Sequence, residues 1–146
     1  VVNNVTKTYL SMIDKNYDNL TKGTFELIPQ MHSEATYTCN LQPNDFHINW
    51  NQRACEIINL IRAYTYPYSH AFFFCDGKKV RVKKAFLVTD HAFVGIILGR
   101  VVAIHHEVGV DIVSVDHVIR ITEVIRDDDS ICSADQVVNK LSYTLT

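Results

Sequence analysis

Ala71-Phe72-Phe73-Phe74-Cys75-Asp76-Gly77-Lys78-Lys79-Val80-Arg81-Val82-Lys83 is the stretch that decides how the chain folds. Its first five residues form a continuous apolar run. Asp76-Gly77 is a strong hairpin signal, because a two-residue turn that matches strand twist needs positive φ at both positions. From Lys79 to Lys83 apolar and charged residues alternate strictly. Val80 and Val82 then point one way and the charges point to water. The spacing predicts a β-hairpin with one buried face.

Upstream of the hairpin lies Tyr66-Pro67-Tyr68, and Pro67 stops whatever helix precedes it. A helix is predicted there, with Asn51 as a plausible N-cap and Ala54, Ile57, Ile58 and Ile61 on one face. Residues 42–45, Gln42-Pro43-Asn44-Asp45, are a turn cluster. Residues 35–41 carry Thr, Tyr and Cys, which favour the pleated conformation, so a strand is expected. Downstream, strands are expected at 99–104, 110–115 and 118–124. Turns at Glu107-Val108-Gly109 and Asp116-His117 separate them. Short strands at near-even spacing point to an antiparallel barrel or sandwich.

The two ends read as helices. In residues 5–20 the apolar positions are Val5, Tyr9, Met12, Ile13, Tyr17 and Leu20, the steps of three and four that mark an amphipathic helix. Asn3 or Asn4 can cap its start, and Gly23 suits its end. Pro29-Gln30 reads as an extended connector. At the other end Asp127-Asp128-Asp129 is a solvated charge run. Ser133-Ala134-Asp135-Gln136 matches a capping box, with Val137, Val138 and Leu141 as the stripe of a last short helix.

With 146 residues the chain suits one domain on the usual prior of roughly 100–200 residues. A hydrophobic share of 47% against 21% charged is ordinary for a globular protein. The net charge of −2 gives no strong pull toward nucleic acid or a membrane surface. No apolar run approaches the ~20 residues that span a bilayer. Val1-Val2-Asn3-Asn4 lacks the basic and apolar regions of a signal peptide, and also an initiator Met, which suggests a fragment or a processed chain. Cys39, Cys55, Cys75 and Cys132 are widely separated, with no C-x-x-C. Buried free thiols in a reducing compartment, and hence a cytoplasmic location, are expected.

Little in the sequence carries chemistry by itself. His105 and His106 are adjacent, so in a strand they face opposite sides and cannot share an ion. His32, His47, His70, His91 and His117 show no ligand spacing, so no metal site is expected. There is no G-x-S-x-G, and Gly23, Gly77, Gly95, Gly99 and Gly109 are scattered rather than gathered in a phosphate loop. Glu56, near Arg53 and Asn59, reads as part of a solvated helix face. Lys78-Lys79, Arg81 and Lys83-Lys84 form the one basic stretch. It can serve as a nucleic-acid surface. It can equally be an exposed strand guarded by charge, which the acidic balance of the chain favours. Tyr64, Tyr66 and Tyr68 around Pro67 offer flat, stiff faces for stacking a base ring or for packing.

Read as a set, these residues resemble a known family. Pro29-Gln30, Ala35-Thr36-Tyr37, Ile48-Asn49-Trp50, residues 57–63, Pro67, Ala71-Phe72 and Asp76-Gly77-Lys78 look like the C-terminal domain of the folate-dependent formyltransferases. Gly99-Arg100-Val101-Val102 and residues 119–124 resemble its closing strands. The likeness covers residues 29–124 and includes the methionyl-tRNA and nucleotide-sugar enzymes. It implies a mainly β fold: an open antiparallel barrel of the OB type with one packed helix, plus short N- and C-terminal helices. Together with the residue patterns above, it marks residues 1–30 as a helix and linker, the tail of a preceding catalytic domain, 31–126 as the barrel, and 127–146 as an acidic loop and helix.

In such enzymes a formyl group passes from 10-formyltetrahydrofolate to an amine, and the catalytic Asn, His-Pro-Ser and Asp lie in the N-terminal domain. No His here precedes Pro-Ser, so no catalytic residue carries over and this stretch alone is expected to be inactive. Where the family usually has an acidic residue stands Asn49, Ser69-His70 replaces a Pro-Gly pair, and Leu98 replaces a Pro. Tyr66-Pro67-Tyr68 is closer to the sugar enzymes, which implies a nucleotide-linked amino sugar as acceptor with Tyr66 and Tyr68 against its ring. The alternative is a domain for tRNA or single-stranded nucleic acid, with Lys79, Arg81 and Lys83 facing the ligand. A pure assembly domain, closing a homodimer, is the third reading.

Overall fold

The computed structural model describes residues 2–89 and 96–146, so His91 and Gly95 lie outside the described residues. The chain divides into two compact units, with the second spanning Asn40–Thr146.

The first unit holds α1 (Val2–Lys22). Its end is built as the sequence leads one to expect. Gly23 takes a φ of 67°, its N–H bonds to the Leu20 carbonyl (3.4 Å), and Thr24 N–H bonds to the Asn19 carbonyl (3.0 Å). This pair of bonds satisfies carbonyls that the helix cannot. The apolar stripe from Val5 to Leu20 is exposed along its whole length. Residues 35–41 are not a strand, contrary to expectation; one 3-10 turn, His32–Glu34, precedes them. Residues that favour the pleat still need a neighbouring strand to bond to, and these pair with none of the described strands.

In the second unit, a 3-10 turn at Pro43–Phe46 leads to α2 (Ala54–Ala63). Asn51 is not the cap; its N–H bonds to the Asn49 side chain instead (3.0 Å). The start of α2 is satisfied by Glu56, whose carboxylate accepts the Arg53 N–H (3.0 Å), and by Asp116, which accepts the Ala54 N–H (2.8 Å). Ala54, Ile57 and Ile61 face inward, and the helix packs on the sheet.

The sheet has β1 (Phe72–Cys75), β2 (Lys78–Val88), β3 (Val101–His105), β4 (Gly109–Val113), β5 (Val118–Ile125) and β6 (Ile131–Ser133). All pairs are antiparallel, in the order β1-β2-β5-β4-β3, with β6 added to β5. Asp76 (φ 51°) and Gly77 (φ 74°) make the predicted tight turn. Val80 and Val82 are buried, while Lys79 and Lys83 are exposed. Phe73, Ile48, Ile57, Ile112, Ile119, Ile121 and Val82 form the fully buried heart of the core.

The order of strands leaves β1 and β3 as edges, and residues 143–146 bond to both. Phe74 and Thr146 exchange N–H···O bonds on the β1 side. On the β3 side Leu145 N–H bonds to the Gly99 carbonyl (2.8 Å) and Val101 N–H to the Tyr143 carbonyl (3.1 Å). The half-barrel is thereby bridged by its own tail, which removes two unpaired edges. Gly99, at φ 74°, is the residue this closure needs. A Cβ there would collide with the Leu145 carbonyl oxygen and press on the Trp50 ring. The C-terminal helix is only one 3-10 turn, Ala134–Gln136. Ser133 Oγ donates to the Asp135 carboxylate rather than capping backbone amides, so no capping box forms.

Candidate functional site

The aromatic turn after α2 has one packed member and two that face water. Tyr64 meets Phe46 edge-on with ring centres 4.6 Å apart, and meets Tyr68 at 6.3 Å. Tyr68 is half exposed and Tyr66 is 87% exposed. The Tyr66–Pro67 peptide is cis. His70 follows at φ 64°, a backbone state in which glycine is at ease, and it stands where the resembling family places glycine. Burial first, then the nearby charges of Arg81 and Lys83, hold its imidazole below the ordinary value.

The basic row on β2 is not a row of equal cations. Arg81 Nη2 donates to the Arg126 carbonyl (2.6 Å) and to Asp129 (2.7 Å). Lys83 Nζ sits 2.8 Å from the Glu123 carboxylate, with Lys84 at 3.9 Å. The hydrogen bond from Lys83 keeps Glu123 below the usual carboxylate range. Exposed pairs of this kind contribute about 0–1 kcal/mol. Lys79 lies over the Phe72 ring, 3.8 Å from its centre. The same ring is stacked on by His47 at 5.1 Å and met edge-on by Phe74 at 5.6 Å. Beside this cluster opens a cleft of about 500 Å³, lined among others by Lys78, Lys79, Arg126, Asn139 and Tyr143. Asp76, Asp127 and Asp128 line it too, so its charge is mixed.

A third cluster escaped the sequence reading. Asp111 on β4 pairs in register with Arg120 on β5, which grips its carboxylate with Nε (2.6 Å) and Nη2 (2.8 Å). His105 Nε2 lies 2.9 Å from the same carboxylate and 3.0 Å from Arg120 Nη2. The Asp111 side chain is almost wholly buried. Burial by itself raises its pKa, but the hydrogen bonds from Arg120 and His105 outweigh that and hold it below the usual range. An aspartate inside the run Val110-Asp111-Ile112 was the signal; its partner depended on a register that only the fold supplies. A carboxylate saturated in this way binds three strands together and offers no free group for chemistry.

Two thiols differ from expectation. Cys39 and Cys55 are exposed, while Cys75 is buried. Burial, and next the Asp76 charge, push the Cys75 thiol up and leave it inert. Among the described residues no three His, Cys, Asp or Glu side chains gather as a metal site. No described helix is long and apolar enough to cross a membrane.

The described residues thus form an open antiparallel half-barrel with one helix packed on its sheet. The family model described as formyl transferase, C-terminal domain, matches residues 40–142, and the chain belongs to that family. A methionyl-tRNA formyltransferase of Thermodesulfovibrio yellowstonii is 34% identical over 87 residues, 60% of this chain and 28% of that protein. One from Mycoplasma mycoides subsp. mycoides is 26% identical over 134 residues, 90% of this chain and 42% of that protein. The chain thus spans less than half of these relatives' length. They carry the tRNA name, not the nucleotide-sugar name that the tyrosine turn suggested. Among solved structures, HypX from Aquifex aeolicus is similar with a TM-score of 0.67 at 18% identity, over 94% of this chain and 25% of that one. A HypX structure in complex with tetrahydrofolic acid gives a TM-score of 0.64 at 18% identity, over 91% of this chain and 23% of that one. At that identity the likeness speaks for the fold.

Proposed function

We propose that this chain is the C-terminal part of a longer, cytoplasmic formyltransferase that carries a formyl group from 10-formyltetrahydrofolate to the amine of a methionyl-tRNA. The donor and the reacting groups belong to a preceding domain. There a neutral amine attacks the formyl carbon, the resulting oxyanion is stabilised, and its collapse breaks the bond to N10, which leaves as tetrahydrofolate with the proton that the attacking nitrogen loses. The barrel supplies a rigid wall that holds the acceptor. The family match over residues 40–142 carries the reading, together with relatives named for methionyl-tRNA. The acidic balance of the chain weighs against RNA, yet Lys78, Lys79, Lys83 and Lys84 all stand exposed on one hairpin. Residues 1–30 belong with the preceding domain, and the exposed stripe of α1 is a natural face for it.

The test is formyl transfer by the full-length gene product. Methionyl-tRNA is expected to be formylated with 10-formyltetrahydrofolate as donor. Turnover of a nucleotide-linked amino sugar in place of methionyl-tRNA would overturn the choice of acceptor. That second reading draws on the exposure of Tyr66 and Tyr68. It requires that Tyr66→Ala with Tyr68→Ala raise the KM for the sugar nucleotide while the barrel stays folded.

A further inference from the structure

We propose that the water-facing side of the β1–β2 hairpin stacks an unpaired base of an RNA strand on the outer face of the His47 ring, with the Phe74 ring, edge-on to His47 at 5.6 Å, at its margin and Lys79 beside the phosphate. The inference rests on the reading of the acceptor as an RNA and names where that RNA is gripped. In the hairpin Phe72 stands opposite Arg81 and Phe74 opposite Lys79, while Phe73, Val80 and Val82 fill the core from the other face. A solvated hairpin face is ordinarily polar. Here it carries two phenylalanines and gathers a third ring from elsewhere. The bridge between His47 and Phe72, with Ile48 N–H on the Phe72 carbonyl (2.8 Å), brings the imidazole onto that face. His47 lies at 23° to the Phe72 ring.

Phe72 is sealed beneath His47, Phe74 and the Lys79 ammonium, and is 5% exposed. The surfaces left toward water are His47 and Phe74. Flat rings next to a cation suit a base with its phosphate. A duplex keeps its base faces stacked inside, so the fit is to a single strand. Arg81 stands on the same face but shares its charge with Asp129, and Asp76 lies at the turn, so few phosphates are held and the aromatic contact matters more.

The experiment is fluorescence polarisation of the whole chain with a labelled oligoadenylate and with tRNA, at ~50 to ~200 mM salt. His47→Ala with Phe74→Leu, the latter keeping apolar volume and losing the flat face, is expected to weaken oligoadenylate binding about tenfold at unchanged salt slope. Lys79→Gln is expected to reduce the magnitude of the salt slope by about one. Unchanged circular dichroism and melting identify variants that remain folded. Wild-type binding to tRNA and oligoadenylate with an equal affinity in the folded double variant overturns the platform and leaves the acceptor reading standing. A wild-type chain that binds neither RNA at ~50 mM salt overturns both.

Discussion

The two helices carry the same kind of sequence and meet different fates. In α1 the stripe Val5, Tyr9, Met12, Ile13, Tyr17 and Leu20 has the spacing of a buried face, yet all of it is exposed. In α2 the stripe Ala54, Ile57 and Ile61 is buried against the sheet. Periodicity says that a face wants cover, and only the neighbouring chain decides whether cover exists. For α2 the cover is the hairpin that follows it. For α1 the cover is, on the reading above, the domain that precedes it.

The sharpest way to break this contrast is to truncate one isoleucine in each helix. Ile57→Ala, at a fully buried site, is expected to cost about 3 kcal/mol. Ile13→Ala is expected to stay within about 0.5 kcal/mol. Urea midpoints of the two variants decide, and a large loss at Ile13 would mean that α1 is covered after all.

Next in size is Asp111→Asn, which leaves Arg120 without its anion and is expected to cost about 2 kcal/mol at neutral pH. The pH dependence follows from the depressed carboxyl. Its stabilising share is complete above the unfolded value near pH 4 and is lost as pH falls through the lower folded value. Stability measured between neutral pH and strong acid is expected to fall less steeply in the variant.

Smaller again is Asp116→Ala, which removes the acceptor of the Ala54 N–H at the start of α2. About 1 kcal/mol and fraying of the first turn are expected, read by amide exchange at Ala54. Protection at α1 should not move, since Asp116 bonds to the start of α2 and not to α1.

The smallest change is a gain. His70→Gly relieves a left-handed residue and is expected to stabilise by about 0.5 kcal/mol. It also removes a lowered imidazole pKa. A group of that sign gives its stability above the unfolded value near 6.5 and loses it as pH falls, so the gain should widen below pH 6.5. Thermal melting at two pH values reads both effects.

These residues also mark how far the sequence was legible. The hairpin was, because Asp76-Gly77 and the Val80–Val82 alternation are local signals. So was the inward face of α2. Its cap was not, since Asp116 arrives from a turn far along the chain. The strand expected at 35–41 failed because propensity does not provide a partner. The tail at 143–146 was missed for the opposite reason: a short run becomes a stave only between two edges that the fold creates. At the candidate site Lys79 was named, but its place on Phe72 beside His47 depends on a bridge between residues distant in sequence. Arg81 and Lys83 face a nucleic acid only in the alternative reading of the sequence, and the acids that pair with them come from β5 and the turn after it.

The most direct test is the affinity of this chain for methionyl-tRNA as salt rises from ~50 to ~200 mM. With about three phosphates of an unpaired strand held, the affinity should be measurable at the low end and fall roughly 20-fold across the range. No binding at ~50 mM salt would contradict a barrel that holds an RNA acceptor for a catalytic domain elsewhere.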